Sequence, residues 1–92
     1  MTIVSRYAGE WWQENGTDLG DGHWIQLLED GVTGYFAHRN PDGSICWGRI
    51  PLSGLGESWK IVSREPLTIE PSILCETHGV HGFIRDGKWV PA

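Results

Sequence analysis

Apolar and polar residues alternate in short runs along this chain, a period-two pattern that predicts half-buried β-strands. The runs fall at residues 23–28 (Trp24, Ile25, Leu27), 34–38 (Tyr35, Phe36), 44–50 (Ile45, Trp47, Ile50) and 59–62 (Trp59, Ile61), and finally at 82–84 and 88–90 (Phe83, Ile84, Trp89, Val90). Asp-Gly pairs punctuate them at Asp21-Gly22, Asp30-Gly31, Asp42-Gly43 and Asp86-Gly87. This dipeptide favours the positive φ values of tight hairpin turns, so successive strands are expected to pair antiparallel. Residues 34–38 and 44–50, joined through Pro41 and Asp42-Gly43, form a central hairpin, and 82–84 with 88–90, joined by Arg85-Asp86-Gly87, form the last one.

Two segments depart from simple alternation. Residues 67–69 and 72–74 read as extended chain interrupted by Pro71, which cannot donate a ladder hydrogen bond and belongs at an edge or a bulge. Residues 6–15 set Tyr7 and Trp11, and Glu10 and Glu14, one turn apart ahead of Gly16, a spacing that suits one short helix, although Gly9 lies inside it and Trp11-Trp12 suits a strand equally well. Residues 54–56 read as a loop. The expected fold is mainly β: a small single domain over residues 1–92, built as an antiparallel sheet of hairpins with one short N-terminal helix.

At 92 residues the core is thin, since a chain of this size buries only about 60–65% of the surface its unfolded form exposes. Six tryptophans offset part of that, each burying roughly 150–250 Å². A metal or a partner would supply more.

The formal charge of −5 opposes a phosphate backbone, and the basic residues (Arg6, Arg39, Arg49, Lys60, Arg64, Arg85, Lys88) are scattered, so nucleic-acid binding is not expected. An acidic decoy of DNA is the inverse reading, but the acids are evenly dispersed and many sit in turns. No apolar run nears the length of a membrane span, and residues 1–6 lack the pattern of a signal peptide, so the expected location is the cytoplasm.

The densest chemistry lies in Cys75-Glu76-Thr77-His78-Gly79-Val80-His81, where a thiol and two imidazoles recur at three-residue intervals. Zinc takes four ligands from Cys, His and carboxylate in a tetrahedron, and a tight turn can bring Cys75, His78 and His81 together. Cys46 is the first choice for the fourth ligand and His38 the second. One structural zinc would add its binding energy directly to folding. Two other readings stand beside it: a buried thiol with ordinary loop histidines, and a Cys46–Cys75 disulfide, which a reducing cytoplasm disfavours.

A catalytic reading is weaker. Cys75 with His78 or His81 can be drawn as a dyad, yet no nucleophile elbow or phosphate-cradling loop is present, and the chain leaves little room for a substrate pocket. The expectation is therefore no enzyme and no catalytic residues. Trp24, Trp47, Trp59 and Trp89 suit core-facing strand positions, whereas neighbours Trp11 and Trp12 cannot both enter one core. One of that pair, with Tyr7 nearby, is a candidate anchor for a partner, or equally a cover for a sheet face or edge.

Residues 65–75, ending Glu70-Pro71-Ser72-Ile73-Leu74-Cys75, and residues 81–91, His81-Gly82-Phe83-Ile84-Arg85-Asp86-Gly87-Lys88-Trp89-Val90-Pro91, resemble small proteins encoded by bacteriophages of actinobacteria. They are similar, more distantly, to a phage and bacterial domain-of-unknown-function family with a Cys/His cluster ahead of a final aromatic hairpin. In that pattern a second Cys often follows the first after two residues; here His78 stands there and keeps a metal ligand. The resemblance implies a phage accessory protein in the host cytoplasm. The expected function is stoichiometric, non-enzymatic binding of a host or phage protein through Trp11, Trp12 and Tyr7, with self-association open. The rivals are a metal-dependent hydrolase or nuclease fragment using the Cys/His cluster, and the DNA mimic.

Overall fold

A computed structural model describes residues 6–53, 56 and 58–92; the expectations for residues 1–5 and for the loop at 54 and 55 lie outside them. The elements are a helix α1 (Gly9–Asn15), then strands β1 (Thr17–Gly20), β2 (His23–Leu27), β3 (Thr33–Arg39) and β4 (Ile45–Pro51), then β5 (Lys60–Arg64), β6 (Leu67–Cys75), β7 (Val80–Arg85) and β8 (Lys88–Pro91). They form two four-stranded antiparallel sheets, ordered β1-β2-β3-β4 and β5-β6-β7-β8. The mainly β expectation holds, with two sheets in place of one.

The hairpins follow from their turn residues. Asp21 and Gly22 have φ of 53° and 75°, as do Asp86 and Gly87, and each pair closes a two-residue turn, between Gly20 and His23 and between Arg85 and Lys88. Positive φ at both central positions is the type I′ geometry whose twist matches paired strands. Asp42-Gly43 lies in a longer connection, in which Gly43 N–H donates to Asn40 C=O and Asp42 takes the Ser44 N–H. The segment around Pro71 is one continuous strand, β6, with the ladder to β7 slipping between Ile69 and Ile73. The proline sits at that bulge, where the missing N–H costs no ladder bond. Strand β1 was not visible in the alternation, because its four residues carry one buried side chain, Leu19.

The inward faces of the two sheets make the core: Leu19, Ile25, Phe36 and Ile50 from the first, and Leu67, Ile69, Ile73, Ile84 and Trp89 from the second. Each such side chain contributes about 1.5–3 kcal/mol by leaving water. Strand β1 lies against β8, and Trp59 N–H donates to Pro51 C=O at 2.8 Å, so the second sheet meets the first near both of its edges.

The first sheet also buries its other face. Trp12 on α1 packs there against Trp24, Ala37 and Ile45, with Trp11, Tyr35 and Trp47 around them. Trp24 and Trp47 therefore belong to this second cluster, whereas Trp59 and Trp89 join the core between the sheets. The helix turns a sheet that would have one wet face into one covered on both.

Candidate metal centre

Strands β3 and β4 set His38 and Cys46 directly opposite each other. Alternation along β3 sends Phe36 and His38 to the inter-sheet side, and along β4 it sends Cys46, Gly48 and Ile50 there. From the second sheet, Cys75 ends β6 and pairs with Val80 across a short turn that carries His78. The two hairpins thus deliver two potential metal ligands each to one seam between the sheets.

The ligand atoms of His38, Cys46, Cys75 and His78 all lie within 4.8 Å of one another, close enough to hold a metal ion. The Cys46 and Cys75 sulfurs are 3.8 Å apart, and Cys75 Sγ is 3.4 Å from His78 Nδ1. The rings of His38 and His78 meet edge to face with centroids 5.2 Å apart. His38 is the most telling member. It is 1% exposed, and among the described residues neither Nδ1 nor Nε2 has a hydrogen-bond partner. A buried polar group left unpaired costs about 1–3 kcal/mol, so an imidazole held here without a partner points to a ligand.

The electrostatics agree. Burial, chiefly, together with the neighbouring His78 and His23, holds the His38 imidazole below the ordinary histidine range, in the neutral form that coordinates metals. Burial pushes the Cys46 thiol up, and the hydrogen bond with Cys75 and that residue's charge add to it. Two thiolates this close repel each other unless a cation lies between them, and a bound cation reverses that bias.

Three of the four residues ranked first from sequence, Cys46, Cys75 and His78, come together here; the fourth, His81, does not. His81 pairs across the ladder with Leu74, which is 54% exposed, one position out of phase with Cys75 and Val80. Its side chain accordingly lies on the outward face, with Nε2 3.0 Å from Ser72 Oγ. His38, the second choice, takes its place. The signal that could have found it is a histidine at an inward strand position between Phe36 and the turn, opposite a cysteine.

The proposed anchors separate as well. Trp12 is fully buried, its indole N–H donating to Arg6 C=O, and so offers no surface to a partner. Trp11 is half-buried against Trp12, with ring centroids 5.0 Å apart, and under the Arg6 guanidinium, which also lies over Tyr35 and Trp47. Tyr7 is 68% exposed beside Trp47.

No family model, curated protein or solved structure matches this chain. No helix among the described residues is long and apolar enough to cross a membrane.

Proposed function

We propose that this protein is a non-enzymatic binding module whose two sheets are stapled by one structural zinc ion at His38, Cys46, Cys75 and His78. The observation that carries the proposal is the convergence of four donors on one seam, with His38 buried and both its ring nitrogens unpartnered among the described residues. Zinc suits the spacing. Zn–S near 2.3 Å and Zn–N near 2.0–2.1 Å in a tetrahedron put two sulfurs about 3.8 Å apart and a sulfur and a nitrogen about 3.5 Å apart. The Cys46–Cys75 and Cys75–His78 separations of 3.8 and 3.4 Å fit those edges.

Four protein donors complete the tetrahedron and leave no position for substrate water, which favours a structural over a hydrolytic ion. A thin core gains most from such a staple, because its binding energy is folding energy. The partner is a protein of the host cell or of the phage, the class implied by the resemblance of residues 65–91. Elemental analysis of protein purified without chelator tests the staple. We expect one zinc per chain and a large loss of stability on chelation; a folded protein without stoichiometric metal would overturn the proposal.

A further inference from the structure

A cleft of about 210 Å³ opens beside the metal centre, between β4 and the second half of β6. Phe36, Gly48, Ile50, Trp59, Ile73 and Leu74 are among its lining residues. His38, Cys46 and Cys75 of the metal centre also line it, and Trp59, another lining residue, donates its N–H to Pro51 C=O. An ideal Cβ built on Gly48 would meet no atom within 4 Å, so this strand position looks into open space.

Among the described residues, strand β4 is also the outer strand of its sheet, bonded only to β3. Leu52 N–H donates to Val32 C=O, which continues the ladder through the pairs Gly34–Ile50, Phe36–Gly48 and His38–Cys46. In an antiparallel ladder alternate residues turn both backbone groups to the same side. The N–H and C=O of Trp47 and Arg49 therefore point away from β3, on the side where Pro51 C=O meets Trp59. Among the described residues, Trp47 and Arg49 make no backbone hydrogen bond on that side. A row of unpaired groups of this kind is a template for another strand.

We propose that β4 is the docking edge of the module and that its occupant is an extended segment of the partner protein, with one aliphatic residue followed or preceded by Asp or Glu. The inference rests on the binding-module reading above and names where that module binds. The segment pairs with the backbone of Trp47 and Arg49, the strand-addition mode of peptide recognition. Its residue opposite Gly48 faces the inter-sheet side, where glycine leaves the space empty, and drops its side chain into the cleft. An apolar cavity of roughly 150 Å³ already accommodates benzene, so the cleft takes a leucine-sized group. The next residue lies opposite Arg49 on the outward face, where a carboxylate makes the favourable cross-strand pair. Asp30, the carboxylate of this chain that feels the Arg49 charge, is itself held by Thr33 and Val32.

The test uses zinc-loaded full-length protein and a displayed library of random peptides, followed by fluorescence anisotropy with the enriched peptides. Gly48→Leu fills the cleft from a backbone outside the left-handed region, Arg49→Glu inverts the charge, and Lys88→Ala, an exposed position at the start of β8 in the second sheet, is the control. All are first matched to wild type in zinc content and circular dichroism. We expect enriched peptides to share the aliphatic–acidic pair and to lose at least about tenfold in affinity with Gly48→Leu, as when a central anchor is denied its pocket. Arg49→Glu should select lysine in place of the acid, and Lys88→Ala should change nothing. Failure to enrich any peptide, or equal binding to Gly48→Leu, would overturn the docking edge. So would a wild-type dimer that Gly48→Leu abolishes, since the occupant would then be a second copy. Zinc content separates the two proposals: full zinc without peptide binding sinks the edge alone, whereas absent zinc sinks the staple.

Discussion

The thiols of Cys46 and Cys75 lie 3.8 Å apart, although they are 29 positions apart in sequence and each belongs to a different sheet. With a cation between them they are co-ligands; without one they are within reach of a disulfide. Treatment with diamide should therefore oxidise the metal-free protein to an intramolecular disulfide and leave the zinc-loaded protein reduced. Thiol titration with mass spectrometry reads the outcome, and a metal-free protein that keeps both thiols would count against the geometry.

His38 and His81 should behave oppositely on substitution. Loss of even an outer partner of a metal ligand costs about 10–100-fold in affinity, so His38→Ala should weaken zinc binding by at least ~100-fold. His81→Ala should leave it unchanged, because its ring sits by Ser72. Competition with a chromophoric chelator measures both. His38→Leu carries a second signature: it abolishes binding yet stabilises the metal-free protein by about 1–3 kcal/mol, by removing an unpartnered buried imidazole.

The adjacent tryptophans differ in what they hold. Trp12 is fully buried, so Trp12→Ala should cost about 3–5 kcal/mol in urea denaturation. Trp11 loses an edge-to-face contact and the Arg6 cation–π contact, together on the order of 1–2 kcal/mol. Equal losses would mean that α1 does not sit on the first sheet as described.

Gly82 marks a close approach of β7 to β8. An added Cβ would lie 2.5 Å from Trp89 Cζ2 and 2.6 Å from the Val90 carbonyl oxygen. Gly82→Ala should destabilise by about 1–3 kcal/mol through this overpacking, while Gly48→Ala, in open space, should stay within about 1 kcal/mol of wild type. The pair of denaturation midpoints distinguishes a crowded glycine from an empty one.

Asp30 gives the β2–β3 connection a pH dependence. The Thr33 hydroxyl, then the Val32 N–H, hold its carboxyl below the ordinary aspartate range. A carboxyl depressed in the folded state contributes stability above its unfolded pKa and loses it as pH falls through the folded value. The carboxyl-carbon chemical shift of Asp30 should titrate below that of a model peptide, and Thr33→Val should move it back up.

Much of the fold was legible because its signals are local. Asp21-Gly22 and Asp86-Gly87 dictate turn geometry through their own φ preferences, and alternation located β2, β3, β4, β7 and β8 without knowledge of neighbours. What escaped was what depends on contact across distance. Strand β1 carries one apolar anchor and is a strand only because β2 pairs with it. Pro71 lies at a bulge, as its missing N–H led one to expect, but that residues 67–69 and 72–74 join through it into one strand, β6, is set by pairing with β5 and β7.

The candidate site divides along the same line. Residue type and spacing by themselves determined a mainly β chain with turn-dictated hairpins and a Cys/His turn at residues 75–78 suited to a metal. Only the tertiary structure decided that the chain makes two sheets, that α1 buries Trp12, and that His38 rather than His81 completes the cluster. The physical reason is phase and distance. Which face of β7 His81 occupies depends on the ladder register with β6, and whether His38 meets Cys75 depends on how the two sheets pack, neither of which is encoded in the spacing of residues along one strand.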